Sequence, residues 1–448
     1  MIFEAMKQAL IAAAERAGLD QYEIYYQREE SISAETLKDE ISSFASSVGG
    51  GICFRCIVDG KMGYASGELM TEEAMEDLVH AAISGARCID NEDEVFIYAG
   101  SPAYAKLEER EVKLVEADVI RDTVLELQKE TYAASDKVGD GTQCVTMSAV
   151  TEIRLYNSNG LSLSNLVGVS GAYAAPVVRE GEEAQEHFEF REGRGGIEDF
   201  DGLPSLAVTG ALDKLGAGSV ESGKYHVVFD GKQFRSFLST FSSVFSAKNA
   251  QLGLSLLAGK EGEKIAADCV TVVDDPMRQG CPMQTSFDGE GVATARRNVI
   301  ENGVLKTLLY DLTTAKKAGV QSTGNGQKGG YSSPVSIAPY SFGICAGDAT
   351  QEELFAAIGE GIYITECKGF HAGANAVTGD FSIESAGFMI RGGKRAEPIK
   401  SFTVAGNFFD LLKQIDRLGN ETKWGIPGGF TVFGSPDVLV RDMSIAGK

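Results

Sequence analysis

Three turn dipeptides constrain this chain more than any other feature of it. Asp59-Gly60 separates Ile52-Cys53-Phe54-Arg55-Cys56-Ile57-Val58 from Lys61-Met62-Gly63-Tyr64-Ala65, Asn302-Gly303 separates Val299-Ile300-Glu301 from Val304-Leu305, and Gly392-Gly393 follows Phe388-Met389-Ile390-Arg391. A type I′ turn needs positive φ at both central residues, and its twist matches that of the strands it joins, so each dipeptide predicts a tight antiparallel hairpin. The hairpins fall at both ends of the chain. With 53 glycines among 448 residues, they predict an α+β protein whose C-terminal half is antiparallel and β-rich, with a few helices.

Helical spacing supplies the remainder. Phe3, Met6, Leu10, Ala13 and Ala17 share one face and stop at Gly18, a helix with a glycine at its C-terminus. A second helix is expected from Thr71 to Cys88, closing a helix, meander, helix unit over 1–100. A long helix over 111–131, with Val112, Val115, Val119, Ile120, Val124 and Leu127 on one stripe, opens a second unit over 101–223. That unit continues with strands Glu152 to Tyr156 and Leu161 to Ser164, and an acidic edge strand from Glu180 to Phe190. The third unit, 224–448, begins with the strand Tyr225 to Phe229 and a helix from Lys232 to Ala247.

Charge narrows the function. Residues 1–100 carry 7 basic and 19 acidic side chains, 101–223 carry 11 and 22, and 224–448 carry 23 of each, within a total of −23. Such a surplus of acid repels phosphate backbones and argues against direct nucleic-acid binding. Eight scattered cysteines suit reduced, mostly buried thiols. There is no basic segment followed by an apolar one at the start, and no run approaches 18 apolar residues. A cytoplasmic protein with no membrane partner is the expectation.

Local motifs for chemistry are few. The four histidines, His80, His187, His226 and His371, stand in no HExxH pattern, so no local metal nest exists. His187 and Glu189 would share a strand face, but two ligands are not a site. Cys53 and Cys56 spell CxxC, yet an odd offset on a strand sends them to opposite faces. Gly324-Asn325-Gly326-Gln327-Lys328-Gly329 spells GxGxxG without a strand before it or a helix after it, and so reads as a glycine-rich loop. Cys281 has no histidine near it in sequence, and no GxSxG elbow occurs.

Two polar segments remain. One holds Asp288 and Glu290 in Phe287-Asp288-Gly289-Glu290-Gly291, then Arg296 and Asn325; the other holds His371, Thr378, Asp380 and Asn407. Beside glycine, such side chains commonly satisfy turn backbone. The competing reading is a groove, or an interface, where glycines let another backbone approach.

On these residues the chain resembles the TldD/PmbA family, once labelled modulators of DNA gyrase and understood as subunits of a zinc-dependent protease that degrades flexible peptides. The likeness rests on FDGEG, the following RR and IENGVL, STGN, VTGDFS with AGFMI, TVAGN and the terminal IAGK, in that order from Ser286 to Lys448. One kind of member binds catalytic zinc through an HExxxH helix and a C-terminal cysteine. Here the corresponding helix reads Phe234-Arg235-Ser236-Phe237-Leu238-Ser239-Thr240-Phe241, with no such ligand through Ala247, and no cysteine follows Cys367.

The resemblance is therefore to the metal-free PmbA (TldE) type. It implies no catalytic or metal residue in this chain, zinc in a partner subunit, and a heteromer with an HExxxH-bearing TldD-like paralogue acting on unfolded or small peptides. Whether the chain alone forms a homodimer stays open. Two other readings stay open: a homo-oligomeric peptide-binding or chaperone-like module, and a hydrolase built from Asp288, Glu290 or His371.

Overall fold

The computed structural model describes residues 2–38, 40–90, 95–193 and 195–448. All three turn dipeptides close hairpins, with φ of 51° and 75° at Asp59 and Gly60, 48° and 79° at Asn302 and Gly303, and 56° and 74° at Gly392 and Gly393.

The first half runs α1 (Ile2–Arg16), β1 (Tyr22–Leu37), β2 (Glu40–Val58), β3 (Lys61–Gly67), α2 (Glu72–Cys88), α3 (Ala117–Ala133), β4 (Gln143–Asn157) and β5 (Ser162–Ala175). Then come the short hairpin β6 (Val177–Glu180) and β7 (Glu183–Glu186), the edge strand β8 (Glu189–Gly193), and α4 (Leu203–Leu212). Six of these strands form one antiparallel sheet in the order β3-β2-β1-β4-β5-β8. It joins strands of the first expected unit to strands of the second, since β1 pairs with β4 from Glu23↔Asn157 to Leu37↔Gln143. Helices α1 and α2 cover one end, packing Phe3, Met6, Leu10, Met75 and Val79 against Ile24, Ile52 and Phe54. Farther along, α3 and α4 bury Ile120, Val124, Leu127 and Leu203 against Ala34, Cys144 and Ala172.

The second half contains β9 (Gly223–Phe229), α5 (Gly231–Phe241), α6 (Ala247–Gln251), β10 (Val272–Asp274), β11 (Arg297–Glu301), β12 (Val304–Leu305), α7 (Leu312–Ala318), β13 (Gly326–Lys328), β14 (Val335–Ile337) and β15 (Ser341–Ile344). It continues through α8 (Gln351–Ile358), β16 (Gly361–Lys368), α9 (Phe370–Gly373), β17 (Asp380–Arg391), β18 (Lys394–Asn407) and α10 (Phe408–Lys413). Last come β19 (Ile415–Leu418), β20 (Lys423–Trp424), β21 (Val432–Ser435) and β22 (Val438–Ala446). Strands β18, β17, β16, β9 and β22 close into a ring, because β22 pairs with both β9 and β18. Closure leaves those strands no open edge. A second sheet runs β12-β11-β10-β15-β21-β20, and β13 pairs with β14 as a two-stranded sheet. The main core lies between these layers, where Phe229, Phe234, Phe237, Phe241, Phe381 and Phe408 meet in edge-on and stacked contacts.

Three expected elements differ. The helix predicted over 111–131 begins at Ala117: Val112 and Val115 precede it, the Val115 N–H donates to Ser148 Oγ at 3.2 Å, and the side chains cover glycines 168 and 195. They pack on the sheet from an extended segment, which the helical spacing imitates. The helix predicted from Lys232 to Ala247 ends at Phe241 and tightens to a 3-10 turn over Ser242–Phe245, where the Ser242 hydroxyl donates to the Ser239 carbonyl at 2.9 Å. Finally, the acidic stretch 180–190 is a hairpin followed by an edge strand instead of one strand.

Candidate functional site

The loop 285–292 is organised by Asp288. Its Oδ1 accepts from the backbone N–H of Glu290 and of Val292, each at 2.9 Å, and its Oδ2 accepts from Gly326 N–H at 2.9 Å. The Gly289 N–H donates to the Gly326 carbonyl at 2.7 Å, and a Cβ on Gly289 would lie 2.8 Å from that oxygen, so glycine is what lets the two backbones meet. Glu290 folds over Gly326 and accepts from Leu312 N–H at 2.9 Å, at the start of α7. Both carboxyls are buried. Burial raises Asp288 well above the usual carboxylate range, and burial followed by the neighbouring Asp288 charge does the same for Glu290.

Asn325, beside them, donates from Nδ2 to Asp274 Oδ2 at 2.7 Å and to the Ala338 carbonyl at 3.1 Å. The other oxygen of Asp274 accepts from Tyr340 N–H at 2.7 Å, and burial pushes Asp274 up to about 6. Arg296 stays outside this group: its exposed guanidinium lies 3.6 Å from Asp275. Instead Arg297, next in sequence, turns in and donates to the Thr323 carbonyl.

The N-terminal sheet completes the cluster with residues not singled out from the sequence. Phe287 packs with Tyr25, Cys53, Ile153, Leu155 and Leu161. Glu23 and Arg55 stand directly opposite on β1 and β2 and form a buried ion pair at 2.8 Å. Lys328, on β13, places its ammonium 4.8 Å from the centre of the Tyr25 ring. Tyr104 donates to the Gly291 carbonyl at 2.7 Å, and Ala293 N–H donates to Ser101 Oγ at 2.8 Å. The Asp288 loop is thus the seam between the two halves.

The second polar segment is a separate, exposed turn. Asn407 donates from Nδ2 to the Thr378 carbonyl at 2.8 Å and to Asp380 Oδ1 at 3.0 Å, and its Oδ1 accepts from Phe409 N–H at 3.0 Å, capping α10. Asp380 N–H donates to Thr378 Oγ1 at 3.3 Å. His371 lies exposed on α9. In this segment the side chains satisfy turn backbone, and no contact links it to the Asp288 cluster among the described residues.

Other motifs resolve plainly. Cys53 and Cys56 point to opposite faces, Cys53 toward Phe287 and Cys56 toward α1 and α2. His187 Nε2 lies 3.0 Å from Glu189, but Lys232 Nζ takes the same carboxylate oxygen at 2.5 Å, which makes an ion-pair junction. The GxGxxG stretch holds β13, and no helix opens after it.

Helix α5 is the element that the motif resemblance aligns with the metal-bearing helix. Its buried face is Phe234, Phe237, Leu238 and Phe241, and the other face carries Ser236, Ser239 and Thr240, with the Thr240 hydroxyl donating to the Ser236 carbonyl at 2.8 Å. Among the described residues no three His, Cys, Asp or Glu side chains are grouped to hold a metal. This donor set does not fit zinc.

Residues 222–447 match the model of the PmbA/TldA metallopeptidase C-terminal domain, and residues 22–86 that of PmbA/TldA metallopeptidase domain 1. A metalloprotease of Methanothermobacter thermautotrophicus is 29% identical over 79% of this chain and 80% of its own length. The metalloprotease PmbA of Escherichia coli O157:H7 is 23% identical over 99% and 96%. The crystal structure of TldE from Thermococcus kodakarensis superposes with a TM-score of 0.88 at 24% identity, covering 99% of this chain and 100% of that one.

Proposed function

Because the chain belongs to the TldD/PmbA metallopeptidase family, we propose that it is the metal-free subunit of a two-chain cytoplasmic zinc metallopeptidase that acts on unfolded or small peptides. The observation that carries this reading is α5. Where a metal-bearing member would need two histidines and a carboxylate on one helix face, this chain presents Ser236, Ser239 and Thr240, with the Thr240 hydroxyl bonded to the helix's own Ser236 carbonyl.

Zinc would supply the Lewis acid and the activated water, from the partner chain. This chain's share is to hold substrate. The outer edge of β14 has no strand partner among the described residues, and Ile337 of β14, with Ser239, Ser243 and Phe433, lines a cleft of about 260 Å³ beside α5. An extended peptide added at such an edge is gripped by main-chain hydrogen bonds, which gives affinity without demanding a sequence.

The test is reconstitution with the HExxxH-bearing paralogue from the same host. The expected result is a stable pair in which peptide hydrolysis requires both chains and is abolished by changing the partner's histidines. Hydrolysis by this chain alone, or a homo-oligomer that ignores the paralogue, would overturn the proposal.

A further inference from the structure

A second cleft, of about 600 Å³, opens between β2 and β3 of the N-terminal sheet and the α6, α7 and β14 segments of the C-terminal half. That volume lies within the range of small-ligand sites, roughly 300–1,000 Å³. Four basic side chains line it, Arg55, Lys248, Lys317 and Lys328, against two acidic ones, Glu290 and Asp311. In a chain of formal charge −23, this is a local reversal of sign.

The basic side chains of the cleft differ in their compensation among the described residues. Arg55 is matched by Glu23 at 2.8 Å. Burial, and then the Asp288 charge, raise Glu290 above the ordinary carboxylate range, and its Oε2 is taken by the Leu312 N–H at 2.9 Å. Lys328 is half-buried against Tyr25, and its ammonium makes no ion pair or hydrogen bond among the described residues. An ammonium withdrawn from water without a counter-ion is costly, and a bound anion removes that cost.

The wall also carries Met62, Tyr64, Leu252 and Val335, beside the polar Gln251, Thr313, Thr314 and Ser333, and Tyr64 and Leu252 are 54% and 63% exposed. An unpaired ammonium beside hydrocarbon fits an anion that carries an apolar group. We propose that this cleft binds the free C-terminal carboxylate of a short peptide, with Lys328 holding the carboxylate and Met62, Leu252 and Val335 holding the terminal side chain. The choice of peptide as ligand rests on the peptidase reading; the choice of a carboxylate rests on the cleft.

The experiment is calorimetric titration of the full chain with the tetrapeptide Ala-Ala-Ala-Leu as its free acid and as its C-terminal amide, on wild type, Lys328→Met and Lys328→Arg. In wild type the acid binds about ten-fold tighter than the amide, as expected for one charge-assisted contact. Lys328→Met abolishes that preference and Lys328→Arg keeps it. The inference is overturned if acid and amide bind alike, if neither binds, or if Lys328→Met retains the preference. It is also overturned if inorganic phosphate displaces the acid as well as a second carboxylate peptide does, which marks a simple anion site. Assembly is read separately: a Lys328→Met chain that still pairs with the zinc-bearing paralogue while wild type shows no acid preference defeats this inference and leaves the two-chain reading standing.

Discussion

Removing the Lys423 ammonium tests what holds α5 in place. Its Nζ lies 2.8 Å from Asp230 Oδ2 and 2.6 Å from Asp437 Oδ1. The same two carboxylates accept from the first N–H groups of α5, Lys232 N–H to Asp230 at 2.7 Å and Gly231 N–H to Asp437 at 2.8 Å. Tyr363 and Gln351 complete the network with hydrogen bonds of 2.6 and 2.8 Å. Burial alone would raise Asp230, but Lys423, followed by the Tyr363 hydroxyl and the Lys232 N–H, makes the net shift downward; burial would lower Lys423, but Asp230 and then Asp437 outweigh it and hold it up.

Lys423→Met leaves two buried carboxylates facing a methionine, and breaking a buried pair in this way costs about 3–5 kcal/mol. The sign of the pH dependence then inverts. In wild type the Asp230 carboxylate is favoured by folding, so its contribution is present above its ordinary value near 3.8 and is lost as pH falls through the lower folded value. In the variant the interaction that most opposes burial is gone and Asp230 is raised, so the penalty is largest at neutral pH and shrinks as pH is lowered toward about 5. Urea unfolding followed by the fluorescence of Trp424, the sole tryptophan and the next residue in the chain, reads the effect at both pH values. Adding Asp230→Asn and Asp437→Asn should recover a large part of the loss. A Lys423→Met chain within about 1 kcal/mol of wild type, or one with equal losses at both pH values, would refute the reasoning.

Other consequences are equally direct. Asp288→Ala strips an acceptor from three buried backbone N–H groups, and should cost about 3 kcal/mol or more in urea unfolding, with Asp288→Asn losing less because Oδ1 keeps two of them. Asp274, pushed up to about 6 from 3.8, binds its proton more tightly folded than unfolded, so its contribution is full below its unfolded value and is lost as pH rises through the folded one; Asp274→Asn should remove about 3 kcal/mol of pH dependence from the difference between the two stability curves over that window. Gly387→Ala places a Cβ 2.0 Å from the Tyr363 carbonyl inside the strand ring and should lower the melting temperature markedly, whereas Gly428→Ala, with nothing within 4 Å, should leave it unchanged.

The hairpins were legible because turn chemistry is local: two residues with positive φ decide the geometry wherever the chain goes afterwards. The stripe that begins at Val112 was misleading for the converse reason, since helical spacing records which residues are apolar and not that glycines 168 and 195 and Ser148 hold Val112 and Val115 in an extended run. Of the eight polar residues picked from sequence, folding gathers Asp288, Glu290 and Asn325, leaves Arg296 at the surface, and keeps His371, Thr378, Asp380 and Asn407 in a separate turn. Glu23, Arg55 and Lys328 escaped notice because their partners come from distant strands. The available signal was a charge inside an apolar run, as in Tyr22-Glu23-Ile24-Tyr25 and Phe54-Arg55-Cys56, since a charge there is costly unless paired.

The central claim is that this chain supports a metal site it does not contain. Native mass spectrometry with metal analysis, on tagged protein purified from its own host, tests it most directly. The account predicts a complex with a second chain of similar size carrying about one zinc per pair, with the metal leaving alongside the partner when the chains are separated. Zinc retained by this chain alone, or a metal-free homo-oligomer with no second chain, would contradict it.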